Sequence, residues 1–423
     1  MNVRKVIKGG AWFLGFSILA KVIAFFNKIY LTRMLTLADY GLFISMFSLF
    51  GIVLTFSSFG LNTSMVKFIP HYRVRKEPGK IKSVITSILQ FEIIMRLIIY
   101  IVLLKVAPLL SIYYFKTDAT TPFQLFSVMV LTELAYRNLK PFFKSFKQTV
   151  MLGWIEFLTP ALYGIFFFIF FKYDTSVYVP IVSYILTSAL IGGVFGLIAL
   201  RTFNIFKHKG KQEWSIFKKM VAFGFPLIVA NTGGIFISYF DTIMLTSLST
   251  LEIVGIYNIA LSSALLMAFV FNSISITLIP TVSEMIAKKK QKDIMGGLKK
   301  LYRYSLFALV PIVAIGITFA KPLLTFIYGN EYGSGFIAFR ILLIGAVFVA
   351  LNNYNIRCLI GAGNTKAIAK VTWLSAIINI VFNIPFIYYW GITGAAIATT
   401  VSYACQWQLT TYQTKKSLGE TNV

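Results

Sequence analysis

The sequence predicts an all-α integral membrane protein of about twelve spanning helices in two pseudo-symmetric six-helix lobes. Composition, the spacing of apolar stretches and the placing of basic residues carry that prediction. Of 423 residues, 57% are hydrophobic and only 13% are charged, where a soluble protein carries roughly a quarter charged. A soluble fold of this size has no interior large enough for 41 Phe and 22 Tyr. A soluble enzyme, a disordered chain and a secreted disulfide scaffold are excluded. Cys358 and Cys405 stand in no redox or zinc spacing, and His71 and His208 are the only histidines. No metal site, cofactor or catalytic residue set is therefore expected.

A spanning helix needs about 20 mostly apolar residues. The first lobe supplies segments 10–31, 40–62, 83–106, 122–141, 150–171 and 177–200. The second supplies 220–246, 253–279, 302–320, 334–356, 367–388 and 391–413. The first segment is too long for a signal peptide, holds Lys21 mid-span and lacks a small-residue cleavage site, so it is expected to stay as a helix. The longest inner loops, 201–219 and 284–301, are too short for a soluble domain. The expected organisation is a lobe at 1–205, a cytoplasmic linker at 206–219 and a lobe at 220–423.

Orientation follows from the loops, because basic residues collect on the cytoplasmic side. An N-in arrangement places 31 basic residues inside and five outside: Arg33, Lys105, Lys116, Lys172 and Lys321. The net charge of +26 is then a topology signal with anionic lipid headgroups as its partner. The run Lys288, Lys289, Lys290, Lys292 has no interleaved aromatics and no base-reading fold, so nucleic acid is not an expected partner. Both termini are expected in the cytoplasm of a plasma-membrane protein.

The halves also repeat. Residues 29–41 (IYLTRMLTLADYG) and 243–255 (IMLTSLSTLEIVG) share six of thirteen positions without gaps: Ile29/Ile243, Leu31/Leu245, Thr32/Thr246, Thr36/Thr250, Leu37/Leu251 and Gly41/Gly255. Each stretch joins the first and second span of its half. Six is even, so both halves have the same orientation and the expected pseudo-twofold runs along the membrane normal.

The run at 30–43 (YLTRMLTLADYGLF) and that at 59–73 (FGLNTSMVKFIPHYR) resemble the N-terminal lobe of polysaccharide-export flippases (Wzx-type) in the multidrug/oligosaccharidyl-lipid/polysaccharide (MOP) superfamily. The second lobe repeats the resemblance at 222–245, 254–260, 273–284 and 391–403. The resemblance implies a MATE-like fold and the movement of an undecaprenyl- or dolichyl-type lipid-linked oligosaccharide across the membrane. Polysaccharide assembly proteins are further partners it implies. Multidrug exporters share the superfamily fold, so fold alone does not choose the substrate.

Ionisable residues inside spans are functional candidates, each costing about 2.5–3.5 kcal/mol or more. The first lobe has Lys21, Lys28, Glu92, Arg96, Glu133 and Glu156; the second has only Asp241 and Arg340. Lys21 and Lys28 share a helix face. Glu92–Arg96 and Glu133–Arg137 stand at i,i+4 and can neutralise themselves. Helix rise places Glu92 and Glu133 about 12–14 Å deep, Lys21 about 16 Å and Arg96 about 20 Å. One polar cluster open to the cytoplasm is expected from these depths, with Glu156 shallower. Under the resemblance, Lys21 and Arg96 bind the substrate diphosphate, Arg96 with bidentate geometry. The alternative is that the pairs tie helices together. Lys28, Arg33 and Arg340 can each reach the outer interface.

Asp241 aligns with Asn27 in the repeat. It is a candidate for a coupling proton or cation, or else an interfacial charge. Asn231, Thr232, Gly233 and Gly234 follow Pro226, which predicts a bend and a hinge at Pro226, Gly233 and Gly234; close helix packing is the other reading. Asn352, Asn353 and Asn355 suit sugar hydroxyls or cross-helix bonds. The reading is an alternating-access flippase. Its rivals are a cation-coupled drug exporter of the same superfamily and a membrane-embedded polysaccharide polymerase or ligase. The chain has no GxxxxGK[ST] motif for ATP, and its outer loops hold few catalytic candidates.

Overall fold

In the computed structural model, residues 3–203, 213–275 and 277–419 are described. They are helical throughout, as a chain in lipid must be when its backbone groups can bond only to one another. The chain divides into two compact units, Met1–Val229 and Ala230–Val423.

The first unit holds α1 (Val3–Met34), α2 (Leu37–Ser57), α3 (Leu61–Val74), α4 (Pro78–Leu110), α5 (Thr120–Ser127), α6 (Met129–Ser145), α7 (Thr149–Phe170) and α8 (Tyr178–Phe203). It also takes the first half of α9 (Trp214–Leu248). Its core joins Leu61, Met65 and Ile69 of α3 to Ile88, Phe143, Ile155 and Ile191, with Ile216 and Met220 of α9. α3 packs on α4 and α6, α6 on α8, and α1 on α7. The start of α9 is pinned by Ser64, whose hydroxyl donates to the Met220 carbonyl at 2.7 Å. Part of the linker expected at 206–219 lies outside the described residues. The rest, from Trp214 on, begins α9 and packs into this unit.

The second unit holds the rest of α9, then α10 (Leu251–Ser275), α11 (Leu278–Ala287), α12 (Gln291–Thr318), α13 (Ala320–Tyr328), α14 (Phe336–Gly361) and α15 (Thr365–Ser417). α14 is central and packs on α10, α11, α12 and α15. Leu342, Leu343, Ala346, Ala350 and Tyr354 are buried along it.

Among the described residues nine continuous helices are long and apolar enough to cross a membrane, ten with the broken α9. Twelve were expected from the sequence, and each expected segment falls on a helix. The difference lies in the breaks. α9 bends between Ala230 and Thr232. The segment 122–141 is interrupted at Val128, between α5 and α6. α15 runs for 53 residues but contains a non-helical Gly391 (φ 52°, ψ −129°). At 1.5 Å per residue it would be about 80 Å long, far beyond a hydrocarbon core of about 30 Å. Gly391 is a conformation that favours glycine, and it stands where the sequence separates 367–388 from 391–413.

The repeat also has structural meaning. Thr36 precedes α2 and caps it, accepting from the Asp39 amide at 3.1 Å. Thr250, its counterpart, stands immediately before α10. Leu31 and Leu245 are both buried, as are Thr32 and Thr246. The shared residues thus mark the same helix–turn–helix corner in each unit.

Candidate functional site

In the first unit, α4 presents Glu92 and Arg96 one turn apart towards α6. They are 0 and 1% exposed, and Arg96 Nη2 lies 3.5 Å from Glu92 Oε2. Arg96 Nη1 donates to the Val130 carbonyl of α6 at 2.8 Å. Asn138 Nδ2, on the same helix, donates to Glu92 Oε2 at 2.7 Å. Glu133 pairs with Arg137 Nε at 3.0 Å and accepts from the Tyr184 hydroxyl of α8 at 2.6 Å. Lys140 Nζ meets Glu156 Oε1 of α7 at 2.9 Å. The three acids therefore each have a base, and α4, α6, α7 and α8 are stitched by polar contacts around α6. Both local pairs expected from the i,i+4 spacing form. Arg96 is buried inside the bundle, 1% exposed, with Nε and Nη2 making no hydrogen bond among the described residues. That geometry favours the tie between helices over the diphosphate ligand expected of Arg96.

Lys21 and Lys28 lie on α1, which packs mainly on α7. Lys21 is exposed and Lys28 half-buried. The exposed Arg33 is in the last turn of α1. Asn27, the repeat partner of Asp241, donates to the Pro160 carbonyl at 2.7 Å.

In the second unit the structure buries Asp241, which is 1% exposed. An interfacial charge was one expectation for this residue; the carboxylate instead faces the unit interior. Oδ1 accepts from Asn383 Nδ2 at 2.6 Å. Oδ2 accepts from the Tyr257 hydroxyl at 2.7 Å and from the Thr399 hydroxyl. These donors come from α10 and from both sides of the Gly391 break in α15. All are neutral, and among the described residues no Lys or Arg pairs with Asp241. Nearby, both side-chain polar atoms of buried Asn379 and Oδ1 of Asn383 have no hydrogen-bond partner among the described residues. Each such group costs roughly 1–3 kcal/mol. A carboxylate ringed by oxygen-bearing side chains with spare capacity is chemically able to hold a proton or a small cation.

A second polar seam joins α14 to α15. Asn352 Nδ2 donates to Gln406 at 3.0 Å, and Asn352 Oδ1 accepts from Thr410 at 2.6 Å. Asn355 donates to Thr411 at 2.8 Å and accepts from Tyr302 of α12. Asn352 and Asn355 thus spend their amides across helices; Asn353 is half-buried. Arg340 Nε donates to the Ile317 carbonyl at 2.8 Å. Pro226 is inside α9, and the bend follows it. The Asn231 side chain lies outside the described residues. A Cβ on Gly233 would stand 3.0–3.1 Å from the backbone of Thr372 and Trp373, so this glycine permits close packing within the second unit.

A search for charges finds Asp241, Glu92 and Glu133 but not Tyr257, Asn383, Thr399, Asn138 or Tyr184. The neutral partners read as ordinary polar residues of spanning helices. One signal was present: Ser375, Asn379 and Asn383 recur every four residues in an apolar segment, and all three are fully buried.

A model of the polysaccharide biosynthesis protein family matches residues 6–286, and a MatE model matches 226–384. The chain is 25% identical over 95% of its length to an uncharacterized membrane protein of Methanocaldococcus jannaschii, covering 82% of that protein. It is 26% identical over 42% of its length to a probable low-salt glycan biosynthesis flippase of Haloferax volcanii, covering 38% of that protein. Among solved structures, the inward closed conformation of the lipid II flippase MurJ superposes with a TM-score of 0.77 at 16% identity. It covers 96% of this chain and 88% of that one. At that identity the likeness shows the fold alone, one shared with the lipid II flippase MurJ.

Proposed function

This multi-pass membrane transporter belongs to the polysaccharide biosynthesis protein family, and from that premise we propose that it flips a lipid-linked oligosaccharide from the cytoplasmic to the outer leaflet. The two lobes rock in alternating access, with both termini in the cytoplasm of the plasma membrane. Lys21 engages the diphosphate, with Lys28 further along the same face of α1. The sugar crosses through the protein while the lipid tail stays in the bilayer. Asp241 takes up the coupling proton or cation, and the bend after Pro226, with Gly233 and Gly234, is the hinge of α9.

The observation that carries this reading is the neutralised first lobe. Its buried acids are matched by Arg96 and Arg137, and Glu156 by Lys140. Among the described residues of that lobe each buried carboxylate has a basic partner, which disfavours a cationic drug, and Lys21 is an exposed residue of a spanning helix. A diphosphate needs such a cation at low dielectric. The match to a glycan flippase supports the substrate class.

The MatE match over the second lobe and the uncompensated Asp241 favour a second reading, a cation-coupled drug exporter. Proteoliposomes separate the two. Flipping of a polyprenyl-diphosphate oligosaccharide without transport of lipophilic cations supports the flippase. Cation efflux without flipping overturns it.

A further inference from the structure

A groove of about 620 Å³ runs between α1 and α7 in the first unit, lined by Phe26, Tyr30, Arg33, Ala161, Ile165 and Phe168, of which Phe26, Ile165 and Phe168 are exposed apolar side chains. The helices meet tightly beneath it, since a Cβ on Gly164 would stand 2.6 Å from Asn27 Oδ1. The Asn27 amide is turned inward onto the Pro160 carbonyl, so the polar group that lines the groove is already engaged. What remains open is mostly apolar. From Phe26 to Arg33 the groove covers about 10 Å of helix, against about 30 Å of hydrocarbon core. It therefore takes the headgroup-proximal part of an alkyl chain.

The end of the groove has a different character. Tyr30 stacks on Phe167 with centroids 5.5 Å apart and packs against Phe168 and Phe171, an aromatic collar of the kind found at the membrane interface. Arg33 lines that end. Lys172 Nζ lies 5.7 Å from the Phe168 ring centroid. Basic residues are scarce on the side expected to be outer, yet of those five Arg33 lines this groove and Lys172 lies beside Phe168 of its wall.

We propose that the α1–α7 groove seats an anionic phospholipid, with one acyl chain along Phe26, Ala161 and Ile165 and its phosphate between Arg33 and Lys172. The guanidinium gives the phosphate bidentate bonds and Lys172 adds a point charge. The site is distinct from the diphosphate site assigned to Lys21 and is independent of the transported substrate.

Native mass spectrometry of the full-length protein in detergent tests the assignment, with dioleoyl phosphatidylglycerol and dioleoyl phosphatidylcholine as probes. The wild type should retain one phosphatidylglycerol more tightly than phosphatidylcholine. The double substitution Arg33→Gln/Lys172→Gln should weaken phosphatidylglycerol roughly thirtyfold, two basic contacts' worth. Ala161→Leu fills the groove without touching charge and should also displace the lipid. Lys105→Gln/Lys116→Gln, which changes charge elsewhere on the same expected side, should not. Lipid-free melting temperatures are compared across all variants, so that misfolding is not read as lost affinity. Equal retention of the two lipids by the wild type overturns the proposal. So does unchanged binding in the Arg33/Lys172 or Ala161 variants, or an equal loss in the Lys105/Lys116 control.

Discussion

Asn383 donates its side-chain amide to Asp241 at 2.6 Å, joining α9 to the first part of α15 across 142 residues of sequence. With Thr399 on the other carboxylate oxygen, Asp241 gathers both sides of the Gly391 break. A group that changes charge here changes what the break and its neighbours bond to. Under the coupling role proposed for Asp241, ion uptake there biases one of two conformations over the other.

Asp241→Asn therefore separates charge from shape. Its amide oxygen can still accept from Tyr257 and Thr399, and Asn383 can turn its unpartnered Oδ1 to accept the new N–H, so with the buried charge removed stability should change by about 1 kcal/mol or less. Coupled transport should fall about tenfold or more, the usual range of a coupling free energy. Flux against an imposed ion gradient, beside a melting curve, is the measurement. Normal flux in Asp241→Asn with a large loss of stability in Asp241→Ala would make the carboxylate structural.

The Glu92–Arg96 pair predicts non-additive stability. Arg96→Gln strands a buried carboxylate and should cost about 3–5 kcal/mol, while Glu92→Gln/Arg96→Gln removes both charges and should cost much less. Membrane abundance and detergent melting temperature read the difference. A double variant no more stable than the single one would contradict a tie based on charge.

The fold was legible because lipid permits few backbone solutions, so that apolar length alone puts a helix at each expected segment. The breaks were legible only where a residue forces them. Gly391 and the stretch after Pro226 stand out, but Val128 between α5 and α6 does not. At the candidate site, i,i+4 spacing reveals Glu92–Arg96 and Glu133–Arg137 because both partners lie on one helix. Asp241 and its partners come from residues 142 and 158 positions away, and no local pattern encodes that meeting. Burial was illegible for the same reason. Counted from the helix end, Asp241 lies near the interface, and only tertiary packing shows that it faces inward.

Gly60 is a stability test within the first unit. It has φ +76° and a Cβ there would lie 2.2 Å from the Gly224 carbonyl oxygen. Gly60→Ala meets both a left-handed backbone and an immovable peptide group, and should cost about 2–4 kcal/mol. Gly193→Ala, where nothing lies within 4 Å of the new Cβ, should leave the melting temperature unchanged or raise it slightly. Equal effects would show that the α3–α9 approach is loose.

Topology is tested by single cysteines in a Cys358- and Cys405-free background. Arg75 and Thr250 are both exposed. An impermeant thiol reagent applied outside intact cells should label Thr250→Cys and spare Arg75→Cys. The reverse pattern would invert the orientation argued from the basic loops.

Lys21 decides the transport mechanism. It is exposed on α1, and the acids of the polar cluster around α6 are matched by other bases, so its substitution leaves none of those pairs broken. The abundance and melting temperature of Lys21→Ala are measured beside its flipping, so that a loss of fold is not read as a loss of transport. Flipping of a diphosphate-linked oligosaccharide should fall about tenfold or more, since a charge-assisted bond is worth about 1.5–3 kcal/mol. Lys21→Arg should retain part of the activity, because the charge survives while the ammonium geometry does not. Lys28→Ala, nearer the end of α1, should lose less. The readout is the inner-leaflet fraction of the lipid-linked sugar, measured beside protein level. Wild-type flipping by Lys21→Ala would remove the cation from the mechanism. Equal losses in Lys21→Ala and Lys21→Arg would mean that shape at this position matters rather than charge.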